Sequence, residues 1–484
     1  MKAIYYQEYA TFFYHCVRFQ PIAGNIVNIA LIVYLVVLVL IAVRSARRVK
    51  DIPDFFVARK GASAKAVAGS LVATILGGSA VIGAVDSGAR LGGAASWFML
   101  TGALGLLALI PFAARAYKHG KYALPDLVEN LYGKGPRTVA SIVIPIAWTG
   151  IVAAQIIAAA KLLMTFTPME YTTAAIVSAA VFTGYTLAGG QLSILRTDFF
   201  QACLIIAGLL VLAGFALFSG AGNATAAGTL TGAATGAATS APPFPFHANF
   251  TPFDLFLLIL TYGTTYTAGP DIFSRMFCAK DESTAKKAIA GAACTLVPVA
   301  FVIGYLAVYG VGLGEVQGAR ITAIANVVLP PALIPLFALA LLSVVLSSAD
   351  TTLLSSSVII CRLFNLGGTA AKGGQLAKAR VVILLNGIVA LLLALVFTDI
   401  IGTLLLALAV YAGAFTVPVL WGLLGLRAKP KFVAVAIVAG GALALAGKFC
   451  PAIPGALGAH TGDFLMVAAF VVNAAILALG REKK

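Results

Sequence analysis

Ser347, Ser348, Asp350, Thr351 and Thr352 fall within less than two helical turns in the middle of an apolar stretch. At about 100° per residue, Ser347, Ser348, Thr351 and Ser355 share one arc, with Asp350 at its edge. So many side-chain oxygens in a hydrocarbon setting are costly unless something takes them up. Oxygen ligands suit a hard cation best, so the chemistry to expect is reversible cation binding. The alternative is that each hydroxyl bonds back to the carbonyl one turn earlier, which leaves Asp350 unexplained.

The elements that position these residues follow from composition. The chain is 61% hydrophobic and 10% charged, with a mean hydropathy of +1.00. Soluble domains carry about 25% charged residues, so a multi-pass membrane protein is expected, placed in a prokaryotic cytoplasmic membrane. The net charge of +16 is therefore not a nucleic-acid footprint. Its basic residues sit in short loops between apolar runs, as orientation signals do. The six cysteines and four histidines show no metal spacing and no disulfide framework. No nucleophile elbow or histidine-based acid–base set argues for an enzyme. The first twenty residues are polar and aromatic, unlike a signal peptide, and no appended output domain is expected after the last apolar run.

With about 20 apolar residues needed per crossing, thirteen spans are predicted. They cover 22–44, 65–92, 95–117, 137–166, 171–190, 193–219, 252–276, 284–312, 331–363, 374–398, 400–426, 430–449 and 463–480. Alternate loops on one side then hold 27 of the 33 Lys and Arg, Arg196 and Arg275 among them. That asymmetry places the N-terminus outside and the C-terminus inside. The stretch 219–250, rich in Gly, Ala, Thr and Pro, reads as an outer loop without a core of its own.

Two spans look broken. The second contains Gly77-Gly78-Ser79 in mid-run; the seventh contains Tyr262-Gly263 and Gly269-Pro270-Asp271. Proline removes a backbone donor and glycine lowers the cost of unwinding. Unwound backbone is tolerated at membrane depth only inside protein or along a cavity. The breaks lie five spans apart, as in an inverted-repeat transporter with its site at the midplane.

Several segments resemble the sodium:solute symporter family, whose members include proline, pantothenate, sugar and sialic acid carriers. They are Asp54 to Lys60, Tyr122 to Leu127 ahead of Tyr132-Gly133, Gly189 to Gln201, Asp271 to Arg275, and Leu346 to Asp350. The resemblance runs from about residue 25 to 425 with the blocks in the family's order, and is silent on the solute. It implies an all-α, LeuT-type five-plus-five inverted repeat preceded by one helix and followed by two. The organisation would be an N-terminal segment 1–64, a first repeat 65–219, an outer loop 220–251, a second repeat 252–426 and a C-terminal pair of spans in 427–484. It also implies a principal sodium site made by the carbonyls of Ala73, Leu76 and Val344 and the hydroxyls of Ser347 and Ser348. A second cation site, or a proton site, would use Asp198, Asp350 and Thr351. Asp350 departs from the hydroxyl expected there. Asp198 has another reading as a partner of Arg196 at the membrane interface.

A solute between the breaks would meet Gly77, Gly78, Ser79 and Ala80, together with Gln155, Tyr262, Thr265, Tyr266 and Thr267. An interhelical hydrogen bond is the other reading of Gln155, and packing that of the tyrosines. Trp148 reads as packing, and Asp86 and Arg90 as an i,i+4 pair. With no fixed charge expected in the pocket, the fitting solute is neutral, zwitterionic or a carboxylate held by half-helix dipoles. Amino acids such as proline come first and monocarboxylates second. No cofactor is expected, and Na+ is the coupling ion. The function expected is sodium-driven uptake of a small polar organic solute by alternating access. Proton coupling, or an uncoupled uniporter or channel of the same fold, is the alternative. Monomer and homo-oligomer both stay open.

Overall fold

The computed structural model describes residues 21–47, 49–219, 244–314, 316, 318–364, 374–449 and 461–482, so the expected outer loop lies mostly outside the described residues. Among the described residues the chain is helical throughout, apart from isolated β-bridges. The main helices are α1 (Pro21–Ala46), α2 (Ala64–Ile75), α3 (Ser96–His119), α4 (Lys134–Phe166) and α5 (Tyr171–Phe218). They continue with α6 (Pro270–Met276), α7 (Glu282–Val311), α8 (Ile334–Leu363), α9 (Gln375–Val396), α10 (Ile400–Leu423), α11 (Pro430–Phe449) and α12 (Thr461–Leu479). Ten described helices are long and apolar enough to cross a membrane, eleven if a bent pair counts as one span.

That bent pair is Ala64–Ile75 and Ser79–Asp86, which meet at 53°. Leu76 leaves helical geometry there (φ −75°, ψ 51°). The second break is more finely divided. Residues 252–276 form the short helices Pro252–Leu258 and Thr264–Ala268 around a π-turn at Ile259–Gly263, then extended Gly269 and α6. Pro270 at the start of α6 removes an N–H that a continuous helix would need. The nearby Ala268 carbonyl accepts a hydrogen bond from the hydroxyl of Tyr411 on α10 at 2.5 Å.

α5 has 48 residues. At about 1.5 Å per residue it would be ~72 Å long, more than twice the ~30 Å hydrocarbon core. It turns at Gly190 (φ 55°), where a Cβ would come within 2.5 Å of the Phe55 ring. The expected spans 171–190 and 193–219 are thus two arms joined without a loop.

α8 packs against α4 and both α2 and α5, while α2 also packs against α7. The apolar window of α4 is 78% buried and that of α12 only 22%, so α4 is interior and α12 peripheral. The two broken segments are tied near Ala62: its N–H donates to the Cys278 carbonyl at 2.9 Å, and the Lys280 N–H donates to the Ala62 carbonyl at 3.1 Å. The start of α2 and the end of α6 are therefore held side by side. Asp86 does not rely on Arg90 for a partner; its carboxylate accepts the Arg320 N–H at 2.7 Å.

Candidate ion and solute site

α8 carries its hydroxyls toward α2 because the polar arc is the face that α2 covers. The Ser347 hydroxyl lies 2.9 Å from the Ala73 carbonyl oxygen, 2.8 Å from that of Ser343 and 3.4 Å from that of Val344. The Ser348 hydroxyl donates to the Thr74 carbonyl at 2.7 Å. Ala73, Leu76, Val344, Ser347 and Ser348 are all buried. Of the groups expected around sodium, Ala73, Val344, Ser347 and Ser348 are brought to one place, with Thr74 added; Leu76 lies at the turn of the break. Both readings of the serines hold in part: Ser347 reaches back to Ser343, and also across to the neighbouring helix. Oxygen atoms of this kind, carbonyl and hydroxyl without nitrogen or sulfur, suit a small hard cation.

Gly77 is what allows the approach. A Cβ there would sit 2.5 Å from the Ser348 oxygen. The amide oxygen of Gln155 on α4 accepts the Gly78 N–H at 3.0 Å, so Gln155 supplies a partner to the unwound backbone.

Behind this lies a second buried polar group. Asp198 on α5 accepts a hydrogen bond from Ser70 and faces the Arg275 guanidinium at 3.8 Å; both charged side chains are fully buried. Arg275 also donates to Ser70 (3.0 Å), to Gln191 (3.2 Å) and to Thr351. Thr351 in turn donates to the Ser347 carbonyl at 2.6 Å. The sequence reading counted Arg275 among the loop charges, which is corrected here, and gave Arg196 as a partner only in its alternative reading of Asp198. Arg275 sits in the core, and Arg196 reaches Ser45 at 3.3 Å. An arginine four residues beyond Asp271, on a helix following a break, was the signal available. One oxygen each of Asp198 and Asp350 has no hydrogen-bond partner, and the two carboxylates are close enough to interact electrostatically. Asp198, Asp350 and Thr351 are thus gathered, with Arg275 among them.

Between the two breaks lies a cavity whose free space for water-sized spheres is about 30 Å³. That holds about two waters, so an organic solute needs it to widen. Gly77, Ser79, Gln155, Tyr262, Thr265 and Tyr266 line it as expected. Gly78, Ala80 and Thr267 do not: Gly78 is engaged by Gln155, Ala80 is buried in packing, and the Thr267 hydroxyl donates to the Gly105 carbonyl at 2.9 Å. Trp148 lines the cavity as well as packing edge-on against Tyr411, with ring centroids 4.5 Å apart. Asp271 also lines it, which overturns the expectation of a pocket without fixed charge. Its carboxylate accepts the neighbouring Ile272 N–H at 3.0 Å. Among the described residues, no three His, Cys, Asp or Glu side chains gather as a metal site.

The sodium:solute symporter family model matches residues 55–432. A sodium/proline symporter of Haemophilus influenzae is 27% identical over 240 residues, covering 48% of this chain and 46% of that protein. The match therefore spans less than half of that relative's length. A Na+-coupled sialic acid symporter, solved in a substrate-bound outward-open state, has a TM-score of 0.75 at 18% identity, over 95% of this chain and 99% of that one. A nucleobase-cation-symport-1 family transporter in a closed conformation scores 0.53 at 16% identity, over 88% and 94%. The manganese transporter of Eremococcus coleocola scores 0.53 at 15% identity, over 86% and 94%. At these identities the likeness is one of fold, and the fold is that of LeuT-type transporters.

Proposed function

Since this chain belongs to the sodium:solute symporter family, a family of transporters and not of enzymes, we propose that it couples sodium entry to the uptake of a small polar organic solute. The observation that carries this reading is the meeting of Ser347 and Ser348 with the Ala73 and Thr74 carbonyls beside a helix break. A sodium ion would take those oxygens, with Val344 and Leu76 completing its shell. The hydroxyls would then turn their lone pairs to the ion, and the carbonyls would exchange a hydrogen bond for a cation. Asp198, Asp350 and Thr351 form a second acidic group for a further cation or proton, part of whose charge Arg275 already balances.

Transport would proceed by alternating access. Sodium orders the break near Ala73 to Gly77, solute fills the widened cavity between the breaks, the outer path closes and the inner one opens. Thirteen crossings fit this cycle, with the N-terminus outside and the C-terminus inside, repeats at 65–219 and 252–426, and a prokaryotic cytoplasmic membrane around them. One sodium ion moving down 100 mV supplies about 2.3 kcal/mol, and a tenfold gradient about 1.4 more. Together these sustain roughly 500-fold accumulation of solute per ion. Amino acids such as proline are the first candidates, in keeping with the sodium/proline relative, and monocarboxylates the second.

The test is accumulation in proteoliposomes. Solute should concentrate against its gradient with sodium outside and leak back when the sodium gradient is collapsed. Equal uptake with choline replacing sodium at fixed pH would remove sodium coupling. Uptake that then followed a pH gradient would favour the proton-coupled reading, and equilibration without accumulation a uniporter.

A further inference from the structure

The cavity wall has a polarity of its own. Three of its hydroxyl groups, outside the proposed sodium shell, spend their protons inside the protein. Thr265 donates to the Thr261 carbonyl and Thr352 to the Ser348 carbonyl, each at 2.7 Å. Thr351 gives its proton to the Ser347 carbonyl, so in the 3.2 Å contact between Thr74 and Thr351 the donor is Thr74. Each hydroxyl has a single proton, so these oxygens can offer a solute only lone pairs. Asp271 adds a carboxylate to the same wall.

Asp271 has a plainer reading as an acid in the first turn of α6, where a helix favours negative charge. Two observations go beyond it. No lysine or arginine among the described residues comes within ion-pair distance of the Asp271 carboxylate, because Arg275, one turn along, is directed to Asp198. Further, carboxyls outnumber cations among the buried side chains around the two breaks, Asp198, Asp271 and Asp350 against the guanidinium of Arg275, and Asp271 is the one of them that lines the solute cavity. The rings of Tyr262 and Tyr266, 5.0 Å apart and mutually tilted by 66°, line the same cavity, and aromatic rings attract an organic cation.

We infer that Asp271 is the specificity-determining anchor of the solute cavity and that the solute carries a protonated amine, which Asp271 holds by a charge-assisted hydrogen bond. The inference rests on the transport reading above and narrows its solute. Beside the hydroxyls of Ser79, Tyr262 and Tyr266, the remaining donors on the wall are the Gln155 amide and the unpartnered Trp148 indole N–H. Both come from α4, not from the helix that bears Asp271, and they suit the carboxylate of a zwitterion. A monocarboxylate without an amine would set two negative charges together in a space nearly free of water, which is unfavourable.

The test is thermal stabilisation of the purified full-length protein in detergent. Its probes are a panel of small zwitterionic amino acids, their desamino carboxylates and their decarboxylated amines, each with sodium or with choline. Sodium-dependent stabilisation should be confined to amine-bearing probes. In Asp271→Asn the dissociation constant of the best probe should rise about 10- to 100-fold, the effect of one charge-assisted hydrogen bond. Asp271→Glu, which keeps the charge, should restore part of the binding, whereas a purely structural role would not separate the two variants in this way. Stabilisation by a desamino carboxylate, equal binding by Asp271→Asn, or no amine that stabilises would each overturn the inference. Sodium alone reads the underlying proposal separately: a wild-type protein that responds to sodium while binding a carboxylate keeps the symport reading and loses this one. A protein indifferent to sodium but stabilised by amines does the reverse.

Discussion

The guanidinium of Arg275 and the carboxylate of Asp198 face each other at 3.8 Å, and neither has any exposed side-chain surface. They come from opposite repeats of the expected organisation, so the pair pins α6 to α5 behind the proposed ion site. Ser70 on α2 lies between them, bonded to both. Removing one partner of a buried pair leaves the other uncompensated, at a cost of about 3–5 kcal/mol. Arg275→Met should therefore lower the thermal midpoint steeply. The double variant Arg275→Met with Asp198→Leu should recover much of that loss. Unfolding curves in detergent check this, and a double variant no better than the single would show that the pair does not act as a unit.

Ser347 and Ser348 contribute one hydroxyl each to the proposed sodium shell. Ser347→Ala and Ser348→Ala should each raise the sodium concentration for half-maximal uptake, by about tenfold for ~1.4 kcal/mol of lost coordination. The expected signature is a shift in sodium dependence in protein that still folds. A folded double variant with unchanged sodium dependence would remove both residues from the site.

Gly190 holds the turn between the two arms of α5 at φ 55°, with the Phe55 ring 2.5 Å and the Phe55 carbonyl oxygen 2.8 Å from where a Cβ would be. With ψ −156° this backbone lies in a region open essentially to glycine alone and costs another residue about 1–3 kcal/mol, and the collision with Phe55 adds to it. Gly190→Ala should give a lower melting midpoint and poorer yield of monodisperse protein, whereas Gly184→Ala, where a Cβ meets nothing within 4 Å, should be close to neutral.

Asp54 lies outside the spans and gives a pH dependence. Burial pushes its pKa up, but the hydrogen bond and charge of Arg59 and the Lys50 N–H outweigh this and hold it below the ordinary 3.8. A carboxyl whose pKa is lowered by folding stabilises the folded state above its unfolded pKa, and that contribution disappears as pH falls through the folded value. Arg59→Gln should thus be less stable than wild type at pH 7. The gap in melting temperature should shrink as the pH is taken below about 4. A gap that stays constant with pH would mean that Arg59 acts through packing alone.

The breaks and the polar arc were readable in the residues themselves. Gly77-Gly78 and Gly269-Pro270 interrupt helices for local reasons, a missing Cβ or a missing N–H, and α8 shows its hydroxyl arc by periodicity. The turn in α5 was legible only as a boundary between apolar runs, since a left-handed glycine leaves no trace in hydropathy. The span number rests on the apolar runs, the division into repeats on the two breaks and the family resemblance, and the orientation on the loop charges, from which Arg275 must now be subtracted.

Sequence alone determined that this chain needs a membrane, that two of its helices break and that one helix carries an arc of side-chain oxygens, because composition, glycine and proline chemistry and helical period act over a few residues. Tertiary structure alone decided that Arg275 turns inward to Asp198 and that Asp271 faces the cavity. At a helix break, a side chain's direction is set by the helices packed around it, and for Arg275 those neighbours come from 76 to 205 residues away along the chain.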